Sequence, residues 1–82
     1  MRTLTQDLQA RANQYTALAM RHTLAASDMR GELTEDRGTN ELTSQRVAEL
    51  RADIADCERW AGRARSKAAG IEEAIGIIIA SI

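Results

Sequence analysis

The stretch that decides the fold is residues 47–82, which read VAELRADIADCERWAGRARSKAAGIEEAIGIIIASI. Apolar and small residues recur in it at alternating steps of three and four: Val47, Leu50, Ile54, Cys57, Ala61, Ala64, Ala68, Ile71, Ile75, Ile78 and Ile82. This heptad pattern predicts one long helix over about 43–81 whose apolar stripe faces a neighbouring helix. The small residues in the middle of the stripe favour close approach of that neighbour.

A second amphipathic segment precedes this one. Thr3 followed by Gln6 has the spacing of a capping box, in which the two residues satisfy each other's backbone N–H groups. Bulky or apolar residues then recur on one helical face, at Leu4, Leu8, Ala12, Tyr15, Leu18, His22, Ala25 and Met29. Gly31 suits the position just after a helix, so the first helix is predicted over about 3–30.

Residues 31–42 are polar and lack periodicity, and they are therefore predicted to form the turn. Thr39, Asn40 and Thr43 are all candidates to cap the second helix. Two long amphipathic helices joined by a short turn lie side by side in opposite directions. The sequence thus predicts an all-α fold, an antiparallel two-helix hairpin that forms a single domain over residues 1–82.

The predicted turn sets which residues lie opposite each other. With helix one ending near residue 30 and helix two starting near 43, paired residue numbers sum to roughly 73. Under that pairing, everything after Gly70 extends beyond helix one, and Tyr15 lies opposite about Glu58, near Trp60. A shorter turn would instead let helix one cover the end of helix two.

The overhanging segment is rich in isoleucine, and burying one isoleucine side chain stabilises by roughly 1.5–3 kcal/mol. Such a surface is predicted to bind a partner. The residues predicted to bind it are Leu4, Leu8, Trp60, Ile71, Ile75, Ile77, Ile78, Ile79 and Ile82. Trp60 has two interpretations of equal weight: it covers the apolar stripe against solvent, or it anchors an interface.

Composition and charge exclude several functional classes. The 82 residues include no Pro and no Phe, and the net charge is −1 without a basic stripe, which argues against nucleic-acid binding. Residues 74–82 form the densest apolar run, and it is far too short to insert across a membrane. The start of the chain has no apolar run typical of a signal peptide, and the single Cys57 excludes an internal disulfide. These features favour a cytoplasmic protein.

The sequence contains no pattern typical of catalysis. His22 is the only histidine, and no residue at ligand spacing accompanies it. Cys57 lies in the apolar stripe, where a free thiol acts as a small apolar group. We therefore expect no enzyme activity, no cofactor and no metal.

Three short segments carry a resemblance to a known family. They are Met1–Leu8, Asp28–Gly31 at the predicted turn, and Ser66–Ile78, and together they cover about a third of the chain. They resemble the small type III secretion needle co-chaperones of the YscE/PscE class. The resemblance implies a bacterial cytoplasmic hairpin that pairs with a tetratricopeptide-like chaperone to hold the needle subunit. Leu4, Leu8, Ile75 and Ile78 would occupy matching apolar positions.

Two other functional classes remain alternatives. The first is a self-assembling structural hairpin such as a needle subunit, although needle subunits usually carry prolines in the turn and this chain has none. The chain also has the size of small phage-encoded inhibitors that bind a host protein. The expected partner is another helical protein, either the tetratricopeptide-like chaperone or the needle subunit, or a second copy of the chain itself; an inhibitor would bind its host protein.

Overall fold

The chain forms an extended antiparallel hairpin of two helices. In the computed structural model, α1 runs over Leu4–Thr39 and α2 over Ser44–Ala80, and the molecule measures 61 × 19 × 15 Å. The structure describes the backbone of residues 3–39 and 43–82, and the side chains of all of these except residues 35–39. The predicted all-α hairpin is confirmed.

Helix α1 begins at the predicted cap and continues past its predicted end. The Thr3 N–H donates to Gln6 Oε1 at 2.9 Å, and the Gln6 N–H donates to Thr3 Oγ1 at 3.2 Å, which confirms the capping box. The predicted end near residue 30 is wrong, because α1 continues to Thr39. Gly31 has helical backbone and open space around it, so it is an interior residue of α1 rather than its cap.

Helix α2 is capped by Thr43. Its side-chain Oγ1 accepts a hydrogen bond from the Arg46 N–H at 3.1 Å, and its backbone is extended, as N-cap residues require. Of the other two candidates, Thr39 is the last residue of α1, and Asn40 lies outside the described residues, as does the rest of the predicted turn at 41–42.

Contacts between the helices define their register. The pairs in contact are His22 with Trp60, Tyr15 with Lys67, Thr23 with Arg65, Arg30 with Glu58, and Glu32 with Arg46. The two residue numbers of each pair sum to about 83 on average. Thr39 and Thr43, which flank the connection between the helices, give a similar sum. The predicted sum of about 73 is wrong because α1 continues nine residues past its predicted end at residue 30.

The interface follows heptad spacing on both helices. In α2 every predicted stripe residue from Val47 to Ile78 is buried or half-buried, which confirms the stripe, whereas Ile82 at its end is fully exposed. In α1 the buried or half-buried heptad positions are Thr5, Leu8, Ala12, Tyr15, Ala19, His22, Ala26, Met29 and Leu33.

The predicted stripe of α1 is therefore wrong at two positions, and it omits two residues of the interface. Leu4 and Leu18 are exposed and Ala25 is half-buried, while Ala19 and Ala26, which the predicted stripe did not include, are buried. Ala19 lies opposite about Ala64 in the register above. Where two helices meet through alanines, their axes can lie closer together than larger side chains would permit. A large side chain is then displaced to the flank of the interface.

The predicted overhang is also wrong. Because α1 starts at Leu4 and the register sums to about 83, helix one covers helix two nearly to its end. Ile75 is buried, and Leu8, Ile71 and Ile78 are half-buried in the interface of the hairpin itself. The alternative of a shorter turn, under which helix one covers this segment, is the one that the structure supports.

Candidate protein-binding surface

The predicted partner-binding residues divide into two groups. Leu8, Ile71, Ile75 and Ile78 contribute to the interface between α1 and α2. Leu4, Trp60, Ile77, Ile79 and Ile82 remain exposed, with Trp60 at 48% and the others between 60% and 99%. Only the second group has the exposure that contact with a partner requires.

Four of the exposed residues gather at one end of the hairpin, which we call the open end: Leu4, Ile77, Ile79 and Ile82. The register places Leu4 level with about Ile79. Ile77 and Ile79 leave α2 in different directions, because two residues turn an α-helix by roughly 200°. Residues 74–82 include no charged side chain, so the open end is apolar on more than one side.

Trp60 lies far from the open end, beside a shallow groove between the helices. The groove has a volume of about 300 Å³ and is lined by Tyr15, Leu18, His22, Trp60, Arg63, Ala64 and Lys67. The His22 and Trp60 rings lie 5.4 Å apart at 54°, and Lys67 Nζ lies 5.4 Å from the Tyr15 ring centroid. Tyr15 and Trp60 therefore line the same groove. Tyr15 packs against Lys67 and Trp60 against His22, whereas the predicted register placed Tyr15 opposite about Glu58, near Trp60.

A second groove of about 290 Å³ lies on the opposite side of the interface. It is lined by Thr16, Ala19, Met20, Thr23 and Arg65, and the Arg65 Nη2–H donates to Thr23 Oγ1 at 2.6 Å. Met20 and Leu24 are exposed on α1 near this side, at 60% and 59%. Met20 and Leu24 were not among the residues predicted to bind a partner, although their spacing of four residues places them together on one side of α1.

The reactive residue types are dispersed. Cys57 is a free, half-buried thiol in the interface, and His22 packs on Trp60. Among the residues that the structure describes, no three of His, Cys, Asp and Glu lie close enough to hold a metal ion. In the same part of the chain, neither helix has a stretch long and apolar enough to cross a membrane.

Comparison with known proteins gives no assignment: no protein-family model, curated protein or solved structure matches this chain. The fold defines the class, a small extended helical hairpin with many exposed apolar side chains. These exposed side chains are consistent with a protein-binding module.

Proposed function

We propose that this hairpin is a protein-binding module whose open end docks in an apolar groove of another helical protein. The observation that carries the proposal is the exposure of Leu4, Ile77, Ile79 and Ile82, at 60–99%, beside an uncharged end of α2. Leaving several large aliphatic side chains in water is unfavourable by roughly 1.5–3 kcal/mol each relative to burial. Insertion of the open end into a partner removes that penalty.

In its specific form, the proposal is that the chain acts as a co-chaperone in type III secretion. It would pair with a tetratricopeptide-like chaperone, and the two together would keep the needle subunit from polymerising. Two features support this form: the hairpin fold, and the likeness of residues 3–8 and 66–78 to the YscE/PscE class. Met1 and Arg2, which begin the first of the resembling segments, lie outside the described residues.

The test compares two matched double variants. Ile77→Ser with Ile79→Ser removes apolar surface at the open end, whereas Met20→Ser with Leu24→Ser removes two side chains of similar exposure on α1. The tagged chain and both variants are expressed in the cells that encode the protein, and bound proteins are identified by mass spectrometry. We expect the first variant to lose its partner and the second to keep it, with helix content by circular dichroism equal in all three.

The identity of the captured protein then tests the specific form. A tetratricopeptide-like protein together with a needle-type subunit would support the co-chaperone. An unrelated protein lost with the Ile77 and Ile79 substitutions would support the binding module and contradict the co-chaperone. Equal capture by both variants would show that the open end is not the binding surface.

A further inference from the structure

One long side of the hairpin, distinct from the open end, has its charges sorted by sign. We call it the Trp60 face. It includes the groove beside Trp60 and the Glu32–Arg46 ion pair at 3.4 Å. It also includes the residues three, four or seven positions away from these along each helix, because such residues share one side of a helix. The Arg30–Glu58 ion pair and the Arg65–Thr23 hydrogen bond lie on the other side of the interface.

The charges of the Trp60 face form two blocks along the hairpin axis. We number positions along the hairpin axis by the α1 residue that lies there and call this number the level. A residue of α2 takes the level of the α1 residue beside it, and the numbers of two such residues sum to about 83. The basic block spans levels of about 11–21 and comprises Arg11, Arg21, Arg63 and Lys67. The acidic block spans levels of about 27–34 and comprises Asp28, Glu32, Glu49, Asp53 and Asp56. Two arginines of the same face, Arg46 and Arg59, lie at the two ends of this block.

The two blocks are only partly neutralised within the chain. Arg46 bridges Glu32 and Glu49, and Arg59 pairs with Asp56. Among the described residues, no carboxylate lies within ion-pair distance of Arg21 or Arg63, and Lys67 contacts the Tyr15 ring. A net positive block therefore borders a net negative block, with Trp60 at the boundary between them.

We propose that the Trp60 face is the contact between two copies of this chain. A two-fold axis that lies in the interface and crosses the helices near Trp60 sets the copies antiparallel, with the basic block of each on the acidic block of the other. The axis crosses the hairpin at a level of about 25, so residues of the two copies lie opposite each other when they are equally far from that level on either side. This places Arg63 opposite Asp53 of the second copy, Lys67 opposite Glu49, and Arg21 near Asp28. Each pair occurs twice because the interface is isologous.

The apolar centre of the face fits the same arrangement. Trp60 and Leu18 are 48% and 40% exposed, and the axis passes within about one helical turn of both copies of Trp60. A tryptophan at the centre of an interface, surrounded by charged pairs at the rim, is the usual arrangement of a binding hot spot. The charges then select the orientation and the tryptophans supply most of the affinity.

The exposed area also leaves room for a second copy. The hairpin exposes 6198 Å², whereas a compact monomer of this size exposes about 4,900 Å². Levels 11–37 span about 39 Å at 1.5 Å per residue, and across a width of 19 Å they offer about 700 Å² per copy. A standard interface buries about 800 Å² per partner, so the face is close to the size that a stable dimer requires.

The experiment uses two charge-reversed variants of the full chain in sedimentation equilibrium. The first carries Arg63→Glu with Lys67→Glu, and the second carries Glu49→Lys with Asp53→Lys. The unmodified chain is expected to be a dimer whose dissociation constant increases with salt. Each variant alone places like charges opposite each other and should raise the dissociation constant at least about tenfold. Mixed in equal amounts, the two variants should restore a dimer that contains one copy of each.

A control variant separates this effect from a general effect of charge. Arg51→Glu with Glu72→Lys reverses two exposed charges away from the Trp60 face and should leave the dimer intact. Circular dichroism checks that every variant remains helical. A monomeric unmodified chain, or two folded variants that fail to associate when mixed, would overturn the proposal. Because the open end is unchanged in all of these variants, either result is independent of whether the hairpin binds its helical partner.

Discussion

Alanine occupies six of the nine buried apolar positions among the described residues: Ala12, Ala19, Ala26, Ala61, Ala64 and Ala68. A methyl group contributes little burial by itself, but it lets two helix backbones approach closely along their length. Among the side chains that the structure describes, Leu50 is the largest that is fully buried. The interface is therefore more sensitive to added volume than to removed volume.

Ala12 gives the clearest test of this sensitivity, because it is 0% exposed. Ala12→Leu should lower the free energy of unfolding by about 1–3 kcal/mol, since the larger side chain must push the helices apart. Ala17→Leu adds the same atoms to an exposed position of the same helix and should change stability by less than about 0.5 kcal/mol. Urea unfolding followed by circular dichroism measures both. Equal effects would show that the helices are not closely packed at Ala12.

Among the two helices, the length of α1 depends on whether Gly31 is an interior residue of the helix or its end. Its backbone is helical and an added Cβ would meet nothing within 4 Å. Gly31→Ala should therefore stabilise the protein by up to about 1 kcal/mol, because alanine loses less backbone entropy in a helix. Gly62→Ala, inside α2 and equally open, is the matched control and should give a similar gain. A loss of stability confined to Gly31→Ala would mean that α1 ends there.

The elements also show how far the sequence could predict this fold. The α2 stripe was predictable because Val47, Leu50 and Ile54 mark it with large apolar side chains. The α1 interface was harder to predict, since Ala19 and Ala26 carry it while the larger Leu18 lies beside it. Their spacing of seven residues, shared with Ala12, is the signal that would have identified them.

The predicted site depended on the predicted end of α1. Interpreting Gly31 as a cap shortened that helix, shifted the register by about ten, and made Ile75 part of an overhang that the structure does not have. The exposure of Ile77 and Ile79 could be predicted because they lie off the stripe. The charge blocks of the Trp60 face could not, because they appear only when Asp53 and Arg21 are placed in the correct register.

At the scale of the whole molecule, the hairpin is long and thin. Its radius of gyration is 18.3 Å, whereas a compact domain of this length has about 12 Å. Small-angle X-ray scattering of the Arg63→Glu, Lys67→Glu variant, at low concentration and high salt to keep it monomeric, should give a value near 18 Å. A value near 12 Å would mean that the helices fold back on themselves in solution.

The position of the connection has a kinetic consequence. Residues that meet next to it, such as Leu33 and about Leu50, are close in sequence, whereas Leu8 and about Ile75 close a loop of nearly the whole chain. Pairing is therefore expected to nucleate beside the connection and to proceed toward the other end. The last pairs to form are the first to open by local unfolding. The isoleucines at that end would then be transiently more exposed than the static structure indicates, which gives a binding partner early access to them.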